Sequence, residues 1–494
     1  MGTDARHAEP RLLGARPQHG ASTKARTAGI PVSGGRPLAT VKDPRRSSRP
    51  RPRPRPVPVA GAAAPVRLHP RPRPIEPAAA RPDRGARPRP SVPSRALVAF
   101  GLLVALVVLT FKVAPSAGAG GGGSFSDEGV EGLVEARGAE LFANGEPFRA
   151  VGFNDYRLAA APGGEVCDEA YGEIDDDELA DRLDRAADSG ATVIRTWFFQ
   201  SSWDPDGDGD GDWSAFDRVV TAAAERGLRV VPVIANHWGD CEAGGMSKTY
   251  DFYAGGFREP YGADALSYLD YARKLADRYA GSPAIAFWQL VNEPEAGSAE
   301  GCDEAAAAEA LAGFADEASA AIRAADPDHL ISLGTIGGGQ CGTAGVNYMA
   351  AHETIDVCEI HVYDHEGAET NPTTALPGDA TNGVAARISA CESAGKPIVA
   401  GEIGFAADLD SGGSSTGAVT DETLQNRADF LEARVGAMSE LGLDGFMVWQ
   451  LDSRTPGNDG ADTYAVGPCD PIEPVLAAAV APGSGEPRAA DACG

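Results

Sequence analysis

The stretch FWQLVNEPE, residues 287–295, is apolar with strand-like composition until it stops at Asn292-Glu293-Pro294, which leaves a carboxylate at the tip of a buried strand. A second apolar stretch, PIVAGEIG at 397–404, places Glu402 near its own end. Two carboxyl groups ~5–5.5 Å apart could cleave an acetal with retention, one protonating the leaving oxygen and the other attacking the carbon. Other apolar runs end in residues able to support such a pair. Arg195 in TVIRTWF would hold Glu402 ionised through charge-assisted hydrogen bonds. His361 and Tyr363 in VCEIHVY lie two apart and share a strand face. Tyr363 would donate to the attacking carboxylate, and His361 would bind a hydroxyl or orient Glu293. Trp449 in GFMVWQLD offers a flat apolar platform for one face of a ring, and RVVPVIA runs into Asn236, His237 and Trp238. A lone Glu at a strand end is often only a cap or ion-pair partner; several compatible strand ends together favour catalysis.

Positioning these groups requires a scaffold whose strand ends converge. Eight strand candidates occur, at 148–154, 192–198, 229–235, 285–292, 330–335, 357–363, 397–404 and 445–452. Most are continuously apolar, the mark of parallel strands covered by helices. Amphipathic segments such as IDDDELADRLDRAADSG and ALSYLDYARKLADRYAG separate them, several opening with Asp or Ser and closing at Gly. The alternation predicts an α/β fold, a (β/α)8 TIM barrel over 131–480, with a doubly wound open sheet as the alternative. In such a barrel the fourth and seventh strands lie three apart, so Glu293 and Glu402 would face each other across the mouth.

The rest of the chain is a different polymer. Residues 1–95 carry a net charge of +16 in Arg-Pro-rich sequence with almost no aromatic residues, and read as a disordered cytoplasmic tail; the remainder carries −44. Residues 96–114 hold an uncharged apolar run ending at Phe111 and read as a single transmembrane helix. The arginines before it predict a cell-membrane, single-pass protein with its catalytic domain extracellular. Ala117-Gly118-Ala119 supports the alternative, secretion after signal cleavage. A Gly-rich linker occupies 115–130 and a C-terminal tail 481–494. The −44 balance argues against nucleic acid as a partner of the exported domain and is compatible with neutral polysaccharide.

All eight cysteines follow the apolar segment, which agrees with export and disulfides. Order along the barrel pairs 167–241, 302–341, 358–391 and 469–493, with free thiols as the alternative for Cys358 and Cys391. In DPDGDGDGDWSAFD, Asp206, Asp208, Asp210 and Asp217 have the 1, 3, 5 and 12 spacing of a calcium loop, with Asp212 among them and Gly211 at position 6. The expectation is a structural calcium without a role in chemistry; the alternative is a solvated acidic turn. Trp197, Trp238, Tyr250 and Tyr253 could line further sugar subsites or simply pack.

In this order, VGFNDYR, VIRTWFF, VIANHWGD, WQLVNEPE, EIHVYDH, AGEIGF and FMVWQLDS resemble the clan of retaining barrel glycosidases that contains glycoside hydrolase family 5, and KTYDFYAGGFREPYG is similar to its β-mannanases. The resemblance covers about residues 131–455. It implies Glu293 as acid/base, Glu402 as nucleophile and Asn292 on the sugar hydroxyl beside the scissile bond, with no cofactor required for catalysis. It implies a β-1,4-linked polysaccharide substrate, mannan or glucomannan, with a β-1,4-glucanase or exo-β-mannosidase as alternatives on the same barrel. A catalytically silent sugar-binding cell-surface protein is the rival outside the class. The pattern departs at Asn236-His237, where many relatives carry His or paired Asn, so the sequence leaves open which of the two enters the site. Asn154 reads as structural.

Overall fold

The structure is a computed structural model that describes residues 124–159, 174–337, 339–363, 372–454, 456 and 461–480. The predicted basic tail, the anchor or signal segment 96–114 and the C-terminal tail lie outside the described residues, as does most of the linker. Among the described residues no helix is long and apolar enough to cross a membrane.

The described chain begins with three short antiparallel strands that the apolar pattern did not mark, β1 (Val134–Ala136), β2 (Leu141–Ala143) and β3 (Glu146–Pro147). Then each of the eight apolar runs becomes a strand: β4 (Ala150–Asn154), β5 (Val193–Trp197), β6 (Arg229–Val233), β7 (Phe287–Gln289), β8 (Leu330–Ser332), β9 (Cys358–Tyr363), β10 (Ile398–Gly404) and β11 (Gly445–Val448). Their order is β8-β7-β6-β5-β4-β11-β10-β9, with every pair parallel. A parallel bridge from Ser332 to Val357 joins the two ends. The ring therefore closes, and the (β/α)8 barrel stands in place of the open sheet.

Helices cover the outside because the strand residues that point outward are as apolar as those that point in. Ile194, Val230, Trp288, Ile331 and Ile360 are all buried in one layer with helix residues such as Leu183, Val219, Leu275 and Leu311. The helices start where the capping residues predicted: Asp175, Ser267 and Asp303 each accept a hydrogen bond from a first-turn backbone N–H. The pairs Cys302–Cys341 and Cys358–Cys391 are disulfide-bonded, as order along the barrel predicted. Cys241 and Cys469 are bonded too, and the proposed pairings with Cys167 and Cys493 lie outside the described residues.

Inside the barrel the side chains form tiers. The lowest is apolar: Ala150, Val193, Val231, Phe287, Val357, Val399 and Met447, joined by Val134 and Leu141 of the antiparallel strands, which plug the bottom. Burying each Val or Phe there is worth about 1.5–3 kcal/mol. Two residues further along most strands the interior turns polar, with Arg195, Gln289, Ser332 and Glu359, and further up come His361, Tyr363, Trp197 and Trp449. This change of character along one face sets chemistry at the mouth above a stable floor.

Candidate active site

Glu293 ends up at the mouth because its strand is broken. Proline after it disfavours ordinary helical backbone at position 293, and Glu293 takes φ of 54°, a left-handed conformation that costs an L residue about 1–2 kcal/mol. The surroundings fix it there. Its N–H donates to the Gly334 carbonyl (2.9 Å), and Gln340 Nε2 donates to its carbonyl (3.1 Å). Strained, over-determined backbone of this kind is characteristic of functional positions.

Glu402 arrives by a different device. Val399 points into the barrel, so strict alternation would send residue 402 outward. Between Ala400 and Glu402 the register against β9 shifts by one residue, pairing Ala400 with Ile360 but Glu402 with His361. This bulge resets the parity and turns Glu402 inward. Gly401 at the bulge has to be glycine, because a Cβ there would lie 1.6 Å from Glu359 Oε1.

The two carboxyl groups meet around His361. One ligating atom from each of Glu293, His361 and Glu402 lies within 4.8 Å of the other two, and all three residues are buried. His361 Nδ1 is 2.7 Å from Glu293 Oε1 and 3.6 Å from Glu402 Oε2. Trp238 Nε1 donates to Glu293 Oε2 at 2.6 Å. Arg195 Nη1 donates to Glu402 Oε1 at 2.8 Å, and the Tyr363 hydroxyl donates to Glu402 Oε2. Burial first, and then the neighbouring Glu402 carboxylate, raises the Glu293 pKa against the pull of His361 and Trp238. Burial thus favours the protonated form of Glu293, while Arg195 donates to the other carboxyl group.

The predicted supports are brought together. Arg195 also donates to Asn154 Oδ1 and Asn292 Oδ1, each at 2.6 Å, and to Gln289 Oε1 at 2.6 and 3.0 Å. One buried guanidinium therefore ties four strand ends into one geometry, as its fixed fork permits. Asn292 Nδ2 donates to Asn236 Oδ1 at 3.1 Å, which decides the point left open at the end of β6: Asn236 joins the site. His237 turns away to the Tyr253 hydroxyl (3.1 Å), and burial, then the Lys248 charge, lowers its pKa to about 3. Trp449 stacks on Tyr156 with centroids 5.9 Å apart and meets Trp197 at 6.0 Å, forming an aromatic wall beside Glu402. Tyr253 packs at 5.4 Å edge-on to Phe314 and is core.

Two residues of this network escaped notice in the sequence. Gln289 and Glu359 lie one tier below the carboxyl pair, and Gln289 Nε2 and Ser332 Oγ both donate to the Glu359 carboxylate. The available signal was the period of two, since Glu359 precedes His361 by two residues on an otherwise apolar strand. Asn154, read as structural, proves to be an Arg195 partner whose amide also donates to the Gly401 and Met447 carbonyls, both at 3.0 Å.

The residues with calcium-loop spacing do not converge into a ligand set in the structure. Among the described residues, no three of Asp206, Asp208, Asp210, Asp212 and Asp217 come together as ligands. Asp217 lies within the helix Ser214–Ala224 and faces the other way, accepting from Arg278 and from the Tyr279 hydroxyl at 2.9 Å. Asp204 instead closes the turn, accepting from the N–H groups of Asp208 (3.1 Å) and Gly209 (2.8 Å), and Asp212 accepts from Ser214 N–H (2.9 Å). Asp217→Asn should therefore lower stability by about 2 kcal/mol, read as unfolding free energy in denaturant, by weakening charged hydrogen bonds to Arg278. Chelator treatment should leave the parent's unfolding curve unmoved; a shift restored by calcium would reinstate the metal.

The sequence profile of the family described as cellulase (glycosyl hydrolase family 5) matches residues 143–451. The chain belongs to glycosyl hydrolase family 5. Among its relatives, mannan endo-1,4-beta-mannosidase A of Podospora anserina is 30% identical over 257 residues, covering 46% of this chain and 64% of that protein. Probable mannan endo-1,4-beta-mannosidase C of Aspergillus terreus is 32% identical over 222 residues, or 42% and 46% of the two. The chain thus spans less than two thirds of the length of these two curated relatives. Among solved structures, the endo-beta-1,4-mannanase of Thermotoga petrophila superposes with a TM-score of 0.49 at 19% identity, over 67% of this chain and 76% of that one.

Proposed function

We propose that the protein is a retaining β-glycoside hydrolase that cuts β-1,4-linked mannan or glucomannan by double displacement. The observation that carries this reading is the Glu293 and Glu402 pair, whose nearest ligating oxygens lie within 4.8 Å. Retaining cleavage needs carboxyl groups this close, whereas inversion leaves room for a water between groups ~6.5–9.5 Å apart. Glu402, ionised beside Arg195, attacks the sugar carbon and forms a glycosyl-enzyme. Glu293 protonates the departing oxygen, then takes a proton from the water that releases the sugar. Asn292, with Asn236 behind it, contacts the hydroxyl next to the scissile bond, and Trp449 supports one ring face. No cofactor enters either step.

The mannan substrate is supported by the relatives' names and by the segment at 248–262. The family's description as cellulase supports β-1,4-glucan as the second reading. Export with the barrel outside is supported by the Arg-rich segment ahead of the apolar run at 96–111 and by the bonded cysteines. In this arrangement 1–95 is a tail, 96–114 an anchor, 115–130 a linker and 131–480 the enzyme.

The test is to incubate the full-length protein separately with glucomannan, galactomannan and soluble cellulose and to count new reducing ends. Release from both mannans is expected. Release from cellulose alone would replace the substrate and keep the reaction, and release from none by folded protein would overturn the reading.

A further inference from the structure

Beneath the two mouth carboxyl groups lies a third, Glu359 on β9, that the double displacement does not use. It is fully buried, and a buried carboxylate persists only if its surroundings favour it. The hydrogen bonds around it define its state. Arg195 is a donor only, and two of its nitrogens donate to Gln289 Oε1, so the Gln289 amide must present Nε2–H to Glu359 Oε1. Ser332 Oγ donates to the other oxygen. Glu359 is therefore surrounded by donors and is ionised; burial alone would raise its pKa, but His361, Arg195 and Ser332 bring it below the usual range. His361 Nε2 faces Glu359 Oε1 at 3.4 Å and so carries hydrogen, while its Nδ1 faces Glu293 and Glu402.

We propose that Glu359 is a positioning residue that keeps His361 protonated on both ring nitrogens, so that the ring holds a donated hydrogen between Glu293 and Glu402. The proposal rests on the reading above for the role of Glu293. Both sides of the imidazole face carboxylate oxygens, and only the imidazolium has a hydrogen for each. The groups facing His361 and Glu359 are Arg195 from β5, Gln289 from β7, Ser332 from β8, Tyr363 from β9, Glu402 from β10, and Glu293 beyond β7. Burial alone would lower the ring's pKa, yet Glu402, Glu293 and Glu359 raise it to about 10. Gly401 supports the same reading from the opposite strand, since the bulge that turns Glu402 inward also leaves the space that the Glu359 carboxylate fills.

The sign follows from charge. Removing an anion 3.4 Å from the ring lowers the pH at which His361 gives up one of its two ring protons. In full-length protein with 15N-labelled histidine, assigned with a His361→Asn variant, both His361 nitrogens should be protonated at pH 8 in the parent, and one should be bare in Glu359→Gln. Glu359→Asp, which keeps the charge, should restore part of the second ring proton that Glu359→Gln loses. A purely structural Glu359 would lower rate or stability and leave both ring nitrogens protonated in folded Glu359→Gln. A neutral His361 in the parent at pH 8, or a ring still protonated on both nitrogens at pH 8 in folded Glu359→Gln, overturns the proposal. If Glu359→Gln does not fold, the parent's ring nitrogens decide alone. If the parent cuts no glycoside, the proposed reaction fails, and the ring nitrogens still report on Glu359.

Discussion

Glu402→Gln should abolish turnover on every substrate the parent accepts, by about 10⁴-fold or more, because no other group can form the bond to the sugar carbon. The amide is nearly isosteric and stays within reach of Arg195 and Tyr363, so the fold should survive. What it loses is the ionised oxygen that Arg195 supports with a 2.8 Å hydrogen bond. Activated aryl glycosides should be lost together with polysaccharide, since a better leaving group cannot replace a missing nucleophile. The check is a pair of rates, on glucomannan and on an aryl β-mannoside, beside an unfolding curve that matches the parent. A folded variant within tenfold of the parent on either substrate would remove Glu402 from the reaction.

The sequence carried the barrel because its evidence was local. Continuous apolar runs such as RVVPVIA, separated by capped amphipathic segments, need no distant partner to be recognised. What escaped was either short or non-local. β1 to β3 have only two or three residues each, too few for a pattern of alternation to emerge. Glu402 was placed in the mouth from its position near the end of its run, although strict alternation from Val399 would have turned it outward. The bulge that corrects the parity depends on pairing with β9 and is silent in the sequence. Asp217 fitted a calcium spacing counted along the chain, but the helix there aims it at Arg278 and Tyr279, more than sixty residues downstream. Asn236 and His237 are neighbours on an irregular segment past the end of β6, and only the partners Asn292 and Tyr253 tell them apart. Gln289 and Glu359 lie one tier below the strand tips, and their contacts with Arg195 and His361 depend on strands far apart in the chain or on which face a strand turns inward. The chemistry at the tips was visible in residue types; the layer that tunes it depended on which strands met.

Glu293→Ala should separate the two halves of the reaction in a way that no structural defect would. On glucomannan the leaving group is a sugar alkoxide that needs a proton, so the first step should fall by about 10²–10⁴-fold, the usual worth of a general acid. On an aryl β-mannoside with an acidic phenol the bond breaks unaided, and Glu402 should still form the glycosyl-enzyme. Release of that intermediate then becomes slow, because water has lost the base that would deprotonate it. A burst of phenol followed by a slow steady rate is expected. Azide attacks without giving up a proton, so adding it should speed the steady phase and yield the β-glycosyl azide, with configuration retained over two displacements. The alkaline limb should respond as well. In the parent, burial and the Glu402 charge raise the Glu293 pKa, so activity is present while Glu293 keeps its proton and falls as pH rises through that pKa. In Glu293→Ala, the burst rate on the aryl substrate should lose the part of this limb that Glu293 sets. A variant equally impaired on both substrates, with no burst and no response to azide, would assign Glu293 to structure and leave the acid to be found elsewhere.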